Sequence, residues 1–327
     1  MAGGPSTVDL VVATARAGAL AFLAGGYKTA AGLADDMVAV RAAGVAVFGV
    51  NLFVPGAPSA DPGALAAYVA QLEADAASLG VALGEASWDD DDFPAKVDAV
   101  LAAPPAAVSF TFGIPPGDVV RALRAAGSAV LLTVTTPEEA MAALAAEPDA
   151  LCLQGAEAGA HRGSLVNEDR TDQDRPARAL LASVRRRTHV PLVVAGGVGG
   201  PQDVVDLLAR GADLVQAGTA LLRCPESGAP APLKEALVAS DDFGRTAVTR
   251  AFSGRRARAL VNAMVVDHPR APAAYPEINN ATRPLRAAAA RSGDAQHMSL
   301  YAGTAFGRAE ARPAAEVVAM LVSGLRP

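Results

Sequence analysis

Short apolar runs alternate with amphipathic segments along most of this 327-residue chain. Apolar residues fill nearly every position of each run, which is typical of strands in a parallel sheet covered on both faces. The amphipathic segments between the runs predict helices that connect these strands. The predicted strands are residues 19–23, 45–51, 107–112, 129–134, 150–153, 191–195 and 214–217.

Prolines and glycines mark the ends of the predicted helices. Proline opens several of them, because its fixed φ suits the first helical turn. Glycine follows several others, which suits a left-handed cap. The helices predicted in this way are residues 7–16, 62–79, 117–126, 137–146, 176–187, 201–210 and 314–325.

This order of elements predicts an α/β fold, a (β/α)8 TIM barrel, although a complete barrel needs eight strands. The helix at 7–16 comes before the first predicted strand, so a further strand is expected ahead of it. Only residues 1–5 remain there. We therefore expect a barrel whose first strand is largely missing. The alternative is a doubly wound open sheet with fewer strands.

Residues 225–299 interrupt the alternation of strands and helices. They contain a proline-rich, loop-like stretch at 225–232 and a basic segment at 248–263. We expect them to form a helical elaboration beside the mouth of the barrel. The chain is thus divided into a barrel at 1–224, this elaboration, and a return segment at 300–327 whose helix packs on the barrel.

Composition excludes several classes of protein. Hydrophobic residues make up 51% of the chain and charged residues 19%, which excludes a disordered protein. The net charge of −6 argues against a general nucleic-acid binder. Only Cys152 and Cys224 are present, too few for a disulfide framework, which favours a cytoplasmic location. We expect no membrane span and no signal peptide, since no sufficiently long apolar stretch is found.

Glycines follow the last two predicted strands. Gly196 and Gly197 come after the first of them, and Gly218 and Thr219 after the second. Glycine lets backbone N–H groups approach an anion closely, and the next helix adds a partial positive charge. These strand ends form the usual phosphate site of such barrels, so we predict phosphate binding here. The spacing disfavours a Rossmann nucleotide site.

A glycine-rich loop at residues 154–163 carries one histidine directly after a predicted strand. A surface position is the ordinary explanation for a loop histidine, but His161 follows a strand on the side of the predicted phosphate site. Histidine titrates near neutrality, so His161 is the predicted catalytic residue. Asn51 also ends a predicted strand, where its amide either contacts a planar heterocycle or phosphate, or forms an Asx turn.

The remaining polar motifs carry less information. No His or Cys pair has metal-ligand spacing, so no metal is expected. The acidic run at 89–92 is predicted to be a solvated loop. We expect His189 to be structural, find no functional signal at His268, and keep His297 as a minor candidate for the barrel mouth.

Taken together, the motifs resemble those of the bacterial class I nitronate monooxygenases, also called 2-nitropropane dioxygenases. The resemblance covers nearly the whole chain. Members of this family are FMN-dependent (β/α)8 barrels, so the resemblance implies that fold and that cofactor. It rests on residues 1–7, 24–29, 49–55, 154–163, 195–198, 216–219, 249–254 and 297–303.

The resemblance also implies roles for individual residues. His161 corresponds to the active-site histidine of the family, and Lys28 and Tyr301 are candidates for the substrate pocket. The residues implied to bind FMN are Met1, Ala2, Gly3, Asn51, Gln154, Gly159, Gly196, Gly197, Gln216, Ala217, Gly218 and Thr219.

The implied reaction is the oxidation of alkyl nitronates, such as propionate 3-nitronate, by O2 to a carbonyl compound and nitrite. FMN carries the redox chemistry. His161 either balances the charge of the nitronate when protonated or removes a proton from a nitroalkane when neutral. Three other functions stay open: an NAD(P)H-dependent quinone or enoyl-thioester reductase, a flavin-free binding or regulatory barrel, and a sugar-phosphate isomerase. The oligomeric state stays open as well.

Overall fold

The structure is a computed structural model that describes residues 1–169, 171–238 and 243–325. Seven parallel strands form a curled sheet, a partial barrel with helices around it. Their order in the sheet follows their order in the chain. The strands are β1 (Phe22–Ala24), β2 (Gly49–Phe53), β3 (Ala107–Thr111), β4 (Ala129–Val134), β5 (Ala150–Gln154), β7 (Leu192–Ala195) and β8 (Leu214–Gln216).

The described residues contain twelve α-helices, most of which connect consecutive strands on the outside of the sheet. They are α1 (Val8–Arg16), α2 (Ala30–Ala42), α3 (Pro62–Ser78), α4 (Phe93–Ala102), α5 (Gly117–Ala125), α6 (Pro137–Leu144), α7 (Ala177–Arg185), α8 (Pro201–Ala209), α9 (Ala231–Ala236), α10 (Ala263–Asp267), α11 (Glu277–Ser292) and α12 (Ala314–Val322). Within these ranges no helix is long and apolar enough to cross a membrane.

Local sequence explains where these helices begin. The side chains of Thr29, Asp61 and Thr136 cap α2, α3 and α6 by accepting a hydrogen bond from the third helical N–H. Pro62 and Pro137 occupy the first position of α3 and α6, as predicted from the sequence.

Both faces of the sheet are covered, as the continuous apolar runs predict. Side chains on the outer face, such as Val50, Phe110 and Val194, pack against the helices and are fully buried. Side chains on the inner face, such as Leu131 and Val193, form a second buried cluster inside the curl. All seven predicted strands are therefore confirmed, with ends shifted by a few residues.

The two edge strands, β1 and β8, flank a gap in the barrel. Leu214 of β8 is 53% exposed, whereas the central strands are almost entirely buried. Residues 2–5 form turns rather than a strand. Met1 packs close to Gly218, which follows β8, and the charge of Lys28, which follows β1, acts on its ammonium group. Met1 therefore lies between the carboxyl ends of the two edge strands.

The segment at 225–299 is not purely helical. It contains α9, α10 and α11, as predicted, but also β9 (Thr246–Thr249) and β10 (Ala257–Leu260). Together with β6 (Ala160–His161) these two strands form a small antiparallel sheet, in which Ala257 lies opposite His161. The prediction of a helical elaboration is thus incomplete, because strands of four residues give too short a pattern to be recognised.

Candidate active site

Polar side chains lie inside the barrel at the carboxyl ends of its strands. Asn51 of β2 is in register with Ser109 of β3. Its Nδ2 donates to Ser109 Oγ at 2.9 Å and to Thr111 Oγ1 at 3.0 Å. The Asn51 side chain therefore bridges to a neighbouring strand and forms no Asx turn. Its Oδ1 has no hydrogen-bond donor in the described ranges and remains an acceptor at the site.

Gln154 at the end of β5 fixes the histidine loop. Its Nε2 donates to the carbonyl oxygen of His161 at 3.0 Å, and its Oε1 accepts from the N–H of Gly163 at 2.8 Å. The same Oε1 accepts from Arg162 Nη1 at 3.1 Å. The side-chain amide of Gln154 therefore forms its hydrogen bonds within the protein, and its main effect is to position His161.

His161 is held in a defined orientation by Ser253. The imidazole Nε2 lies 2.8 Å from Ser253 Oγ, and that hydroxyl donates to the carbonyl oxygen of Arg255 at 3.3 Å. The hydroxyl has one hydrogen, so when that hydrogen is donated to Arg255, Nε2 of His161 is the donor to Ser253. Nδ1 is then the unprotonated nitrogen, and no donor in the described residues contacts it.

The surroundings of His161 keep its imidazole neutral. Burial lowers its pKa to about 3, and the positive charges of Arg255 and Arg286 add to this effect. A neutral imidazole with a free Nδ1 can accept a proton.

Aromatic rings surround the imidazole. The centroids of Tyr301, Phe112 and Tyr275 lie 5.2, 5.7 and 5.7 Å from that of His161. Phe53 packs on Phe112 with the ring centroids 4.5 Å apart. These rings exclude water on several sides and leave a compact, largely apolar site.

The two glycine turns that follow β7 and β8 lie side by side, since Ala195 is in register with Gln216. Gly196 and Gly197 have φ angles of 114° and 74°, a region that other residues adopt only with strain. The two turns thus meet at the same edge of the sheet, as predicted.

Several backbone N–H groups in these turns have no hydrogen-bond acceptor among the described residues. Those of Gly197, Gly218 and Thr219 are among them. We call these three groups the anion cradle. The N–H groups at the start of α8 do not contribute, because Asp203 Oδ2 accepts from Gly199 and Gly200 at 3.0 Å. The free donors therefore come from the turns rather than from the helix.

Close backbone contacts join the histidine loop to the anion cradle. Gly159 packs against the backbone of Gly303 so tightly that a β-carbon would overlap it. Gly303 in turn donates its N–H to Thr219 Oγ1 at 3.0 Å. Gly159 therefore serves this close approach, and the loop that carries His161 lies against the end of β8.

The N-terminal residues complete this edge. The ammonium group of Met1 donates to Ser6 Oγ at 2.7 Å, and burial lowers its pKa to about 6. Ala2 and Gly3 form the turn that follows.

The residues at the end of β8 contact the interior of the barrel. Gln216 Oε1 accepts from the Cys152 thiol at 3.4 Å, inside the barrel. Ala217 packs against the main core.

The two substrate-pocket candidates have different settings. Tyr301 lies against His161, and its buried hydroxyl has no hydrogen-bond partner among the described residues. Lys28 instead forms an ion pair with Asp36 of α2. The structure thus brings Tyr301, and not the ammonium group of Lys28, into contact with the histidine.

The other histidines lie in different surroundings. His268 is buried and contacts Asp75 Oδ2 at 2.7 Å, and His297 contacts Asp294 Oδ2 at 2.6 Å. His189 is exposed.

The acidic run at 89–92 is a loop in which Asp89 and Asp92 are exposed, but Asp91 is not free in solvent. Asp91 accepts from the N–H of Tyr27 and pairs with the buried Lys96 at 2.8 Å.

Three site residues were not identified from the sequence. Ser253 lies inside a segment that carries the family resemblance but was given no role. Phe112 ends a predicted strand, so its position at the barrel mouth could have been inferred. Tyr275 comes from a proline-rich stretch that gives no signal by itself.

The fold is that of an α/β-barrel enzyme, in which a histidine lies near a glycine-lined edge of the sheet that carries free backbone N–H groups. A sequence model of the family described as nitronate monooxygenase matches residues 1–324. Nitronate monooxygenase of Pseudomonas aeruginosa PAO1 is 38% identical, over 99% of this chain and 94% of that protein. The chain therefore belongs to the nitronate monooxygenase family, whose members are flavin-dependent oxidoreductases.

Two solved structures are similar to this chain. Nitroalkane oxidase from Streptomyces ansochromogenes has a TM-score of 0.96 and 44% identity, covering 99% of this chain and 93% of that one. FabK from Thermotoga maritima has a TM-score of 0.72 and 21% identity, covering 99% and 90% of the two chains. The similarity to FabK shows a shared fold and nothing more.

Proposed function

We propose that this protein oxidises alkyl nitronates with O2 to a carbonyl compound and nitrite, using FMN. The observation that carries the proposal is the neutral imidazole of His161, enclosed by aromatic rings and joined through Gly159 and Gly303 to the anion cradle. Membership of the nitronate monooxygenase family supports the same reaction.

The residues present fit FMN. The unpartnered N–H groups of Gly197, Gly218 and Thr219 are suited to a phosphate monoester. The free Oδ1 of Asn51, farther along the carboxyl edge, is suited to an N–H of the flavin ring. When bound, FMN supplies the electron transfer between the nitronate and O2. Met1 lies near Gly218, and Gln154, Gly196, Gln216 and Ala217 lie at or directly after the ends of β5, β7 and β8.

His161 acts on the proton of a neutral nitroalkane. The C–H bond next to the nitro group breaks, the proton moves to Nδ1, and the electron pair enters the nitro group to give the nitronate. Ser253 contacts Nε2, which leaves Nδ1 to accept the proton. A substrate supplied as a nitronate needs no such step.

The apolar walls of Phe112, Tyr275 and Tyr301 suit a short alkyl chain. Propionate 3-nitronate, the nitronate that the family resemblance implies, is the first substrate to test. We also propose a cytoplasmic location, which is supported by two buried free thiols, Cys152 and Cys224.

The test combines a spectrum with three assays of the purified protein. We expect flavin absorbance near 450 nm (about the usual flavin maximum), anaerobic bleaching by propionate 3-nitronate, and equal consumption of O2 and nitronate with release of nitrite. Rapid bleaching by NADH or NADPH, without turnover of nitronates, would instead identify a reductase. A protein that remains colourless after addition of FMN would contradict the flavin site altogether.

A further inference from the structure

Arg255 is a buried cation in the wall of the His161 site. Arg255 is only 4% exposed. The guanidinium carbon lies 4.0 Å from the ring centroid of Phe112 and 5.9 Å from that of Tyr275. Both rings also contact the imidazole of His161. The positive charge therefore borders the space in which the substrate would react.

Among the described residues this charge has no carboxylate in contact with it, and Glu139 acts on it only from a longer distance. No carboxylate in the described ranges lies within 4.0 Å of Arg255 (its Nη2 donates to the carbonyl oxygen of Ser164), and its Nε is buried without any acceptor. The neighbouring Arg256 is also buried, but it pairs with Asp174. The buried Lys96 pairs with Asp91. Arg256 and Lys96 are thus neutralised by contacting carboxylates, whereas Arg255 is not.

Arg255 remains charged under working conditions. Burial lowers its pKa to about 10, which still leaves the guanidinium protonated at neutral pH. Arg286, whose charge also acts on His161, donates to Asn279 and Thr282 and likewise has no carboxylate within 4.0 Å among the described residues. An unpaired charge in an apolar site is costly unless an anion neutralises it.

We propose that Arg255 binds the negative charge of the substrate and makes the site selective for the nitronate anion over the neutral nitroalkane. The inference rests on the proposed function, since it assigns the anion to the same site. A nitronate forms the ion pair that the protein leaves open. A neutral nitroalkane gains this interaction only after His161 has removed its proton, so Arg255 also stabilises the product of that step.

The first arm of the test needs no turnover. Nitrate, a planar oxyanion, is titrated calorimetrically into the FMN-loaded protein and into its Arg255→Gln and Arg210→Gln variants. Arg210 is an exposed arginine bonded to Asp206. We expect Arg255→Gln to weaken nitrate binding by about tenfold to 100-fold, the range for a lost charge-assisted hydrogen bond. Arg210→Gln should bind nitrate as the unmodified protein does.

The second arm measures kinetics. Arg255→Gln should raise KM for propionate 3-nitronate by a similar factor. The pKa of His161 should rise once the nearby charge is removed, so the acid limb of kcat/KM for nitroethane should move to higher pH. Failure of the unmodified protein to oxidise any nitronate would overturn the proposed function, while the nitrate titration would still report on Arg255.

A third variant separates charge from packing. Arg255→Lys keeps the positive charge but loses the planar group that stacks on Phe112. Nitrate binding that is retained in Arg255→Lys and lost in Arg255→Gln would support the proposal. Unchanged nitrate affinity in Arg255→Gln, or an equal loss in both variants, would overturn it.

Discussion

At the scale of single residues, the decisive feature is the environment of His161. The loop that carries His161 can be identified from the sequence, but the protonation state of the imidazole cannot. The structure resolves this in favour of the neutral ring, because burial and two guanidinium groups act on the pKa in the same direction. The two arginines, Arg255 and Arg286, and the hydrogen-bond partner Ser253 lie about 90 to 125 residues away in the chain.

This pKa predicts an unusual pH dependence. A base is active in its unprotonated form, so a pKa of about 3 leaves His161 active throughout the mildly acidic range. We expect kcat/KM for nitroethane to remain constant between about pH 8 and pH 5, where an ordinary histidine would lose activity below about 6.5. A pH profile with an acid limb near that ordinary value would show that the imidazole is not buried as described.

Replacing His161 should separate binding from chemistry. His161→Asn removes the base but leaves the anion cradle intact. We expect normal flavin content and a loss of turnover with neutral nitroalkanes of about 100-fold to 10,000-fold, the usual contribution of a general base. His189→Asn, at an exposed position, is the matched control. Full activity of His161→Asn would exclude the proposed role.

At the scale of elements, the sequence predicts the barrel well and its small sheet poorly. The seven parallel strands follow from continuous apolar runs, since the central strands are buried on both faces and only the edge strand β8 is largely exposed. The pairing of β6 with β10 does not, because two-residue and four-residue strands carry little pattern and their partners lie far apart in the chain. The glycine turns after β7 and β8 were predicted from the sequence, whereas the aromatic wall from Tyr275 was not.

The histidine loop lies in close contact with the backbone at Gly303. This contact predicts the effect of adding one methyl group at Gly159. Gly159→Ala would press a β-carbon into the backbone of Gly303. We expect a loss of about 1 to 3 kcal/mol in the free energy of unfolding, as for other overpacked sites, together with lower turnover. Gly307→Ala, where a β-carbon meets open space, should change neither. Thermal unfolding and steady-state assays measure both; equal stability of the two variants would contradict the close approach.

At the scale of the whole molecule, buried charges connect the barrel to the segment at 225–299. Asp174, in the loop before α7, pairs with Arg162 of the histidine loop at 3.4 Å and with Arg256 near β10. Both guanidinium groups are buried. One carboxylate thus neutralises two cations from different parts of the chain and fixes the position of β6 between them.

Removing that carboxylate should destabilise the fold. Asp174→Ala leaves two buried guanidinium groups without a counter-ion, so we expect a loss of about 3 kcal/mol in the free energy of unfolding, as for other broken buried pairs. Asp206→Ala also removes a carboxylate that contacts two arginines, Arg178 and Arg210, but these are exposed. Calorimetry should show little change for that variant. A similar effect of both substitutions would mean that burial of the Asp174 cluster does not matter.

The central claim is that the anion cradle holds the phosphate of FMN beside His161. It is tested most directly by titrating FMN and riboflavin, which lacks the phosphate, into the flavin-free protein and into Gly197→Val. We predict that FMN binds at least about 100-fold more tightly than riboflavin, as expected for two or more charge-assisted hydrogen bonds. We further predict that Gly197→Val removes most of this difference. Equal affinities for the two flavins in the unmodified protein would contradict the account.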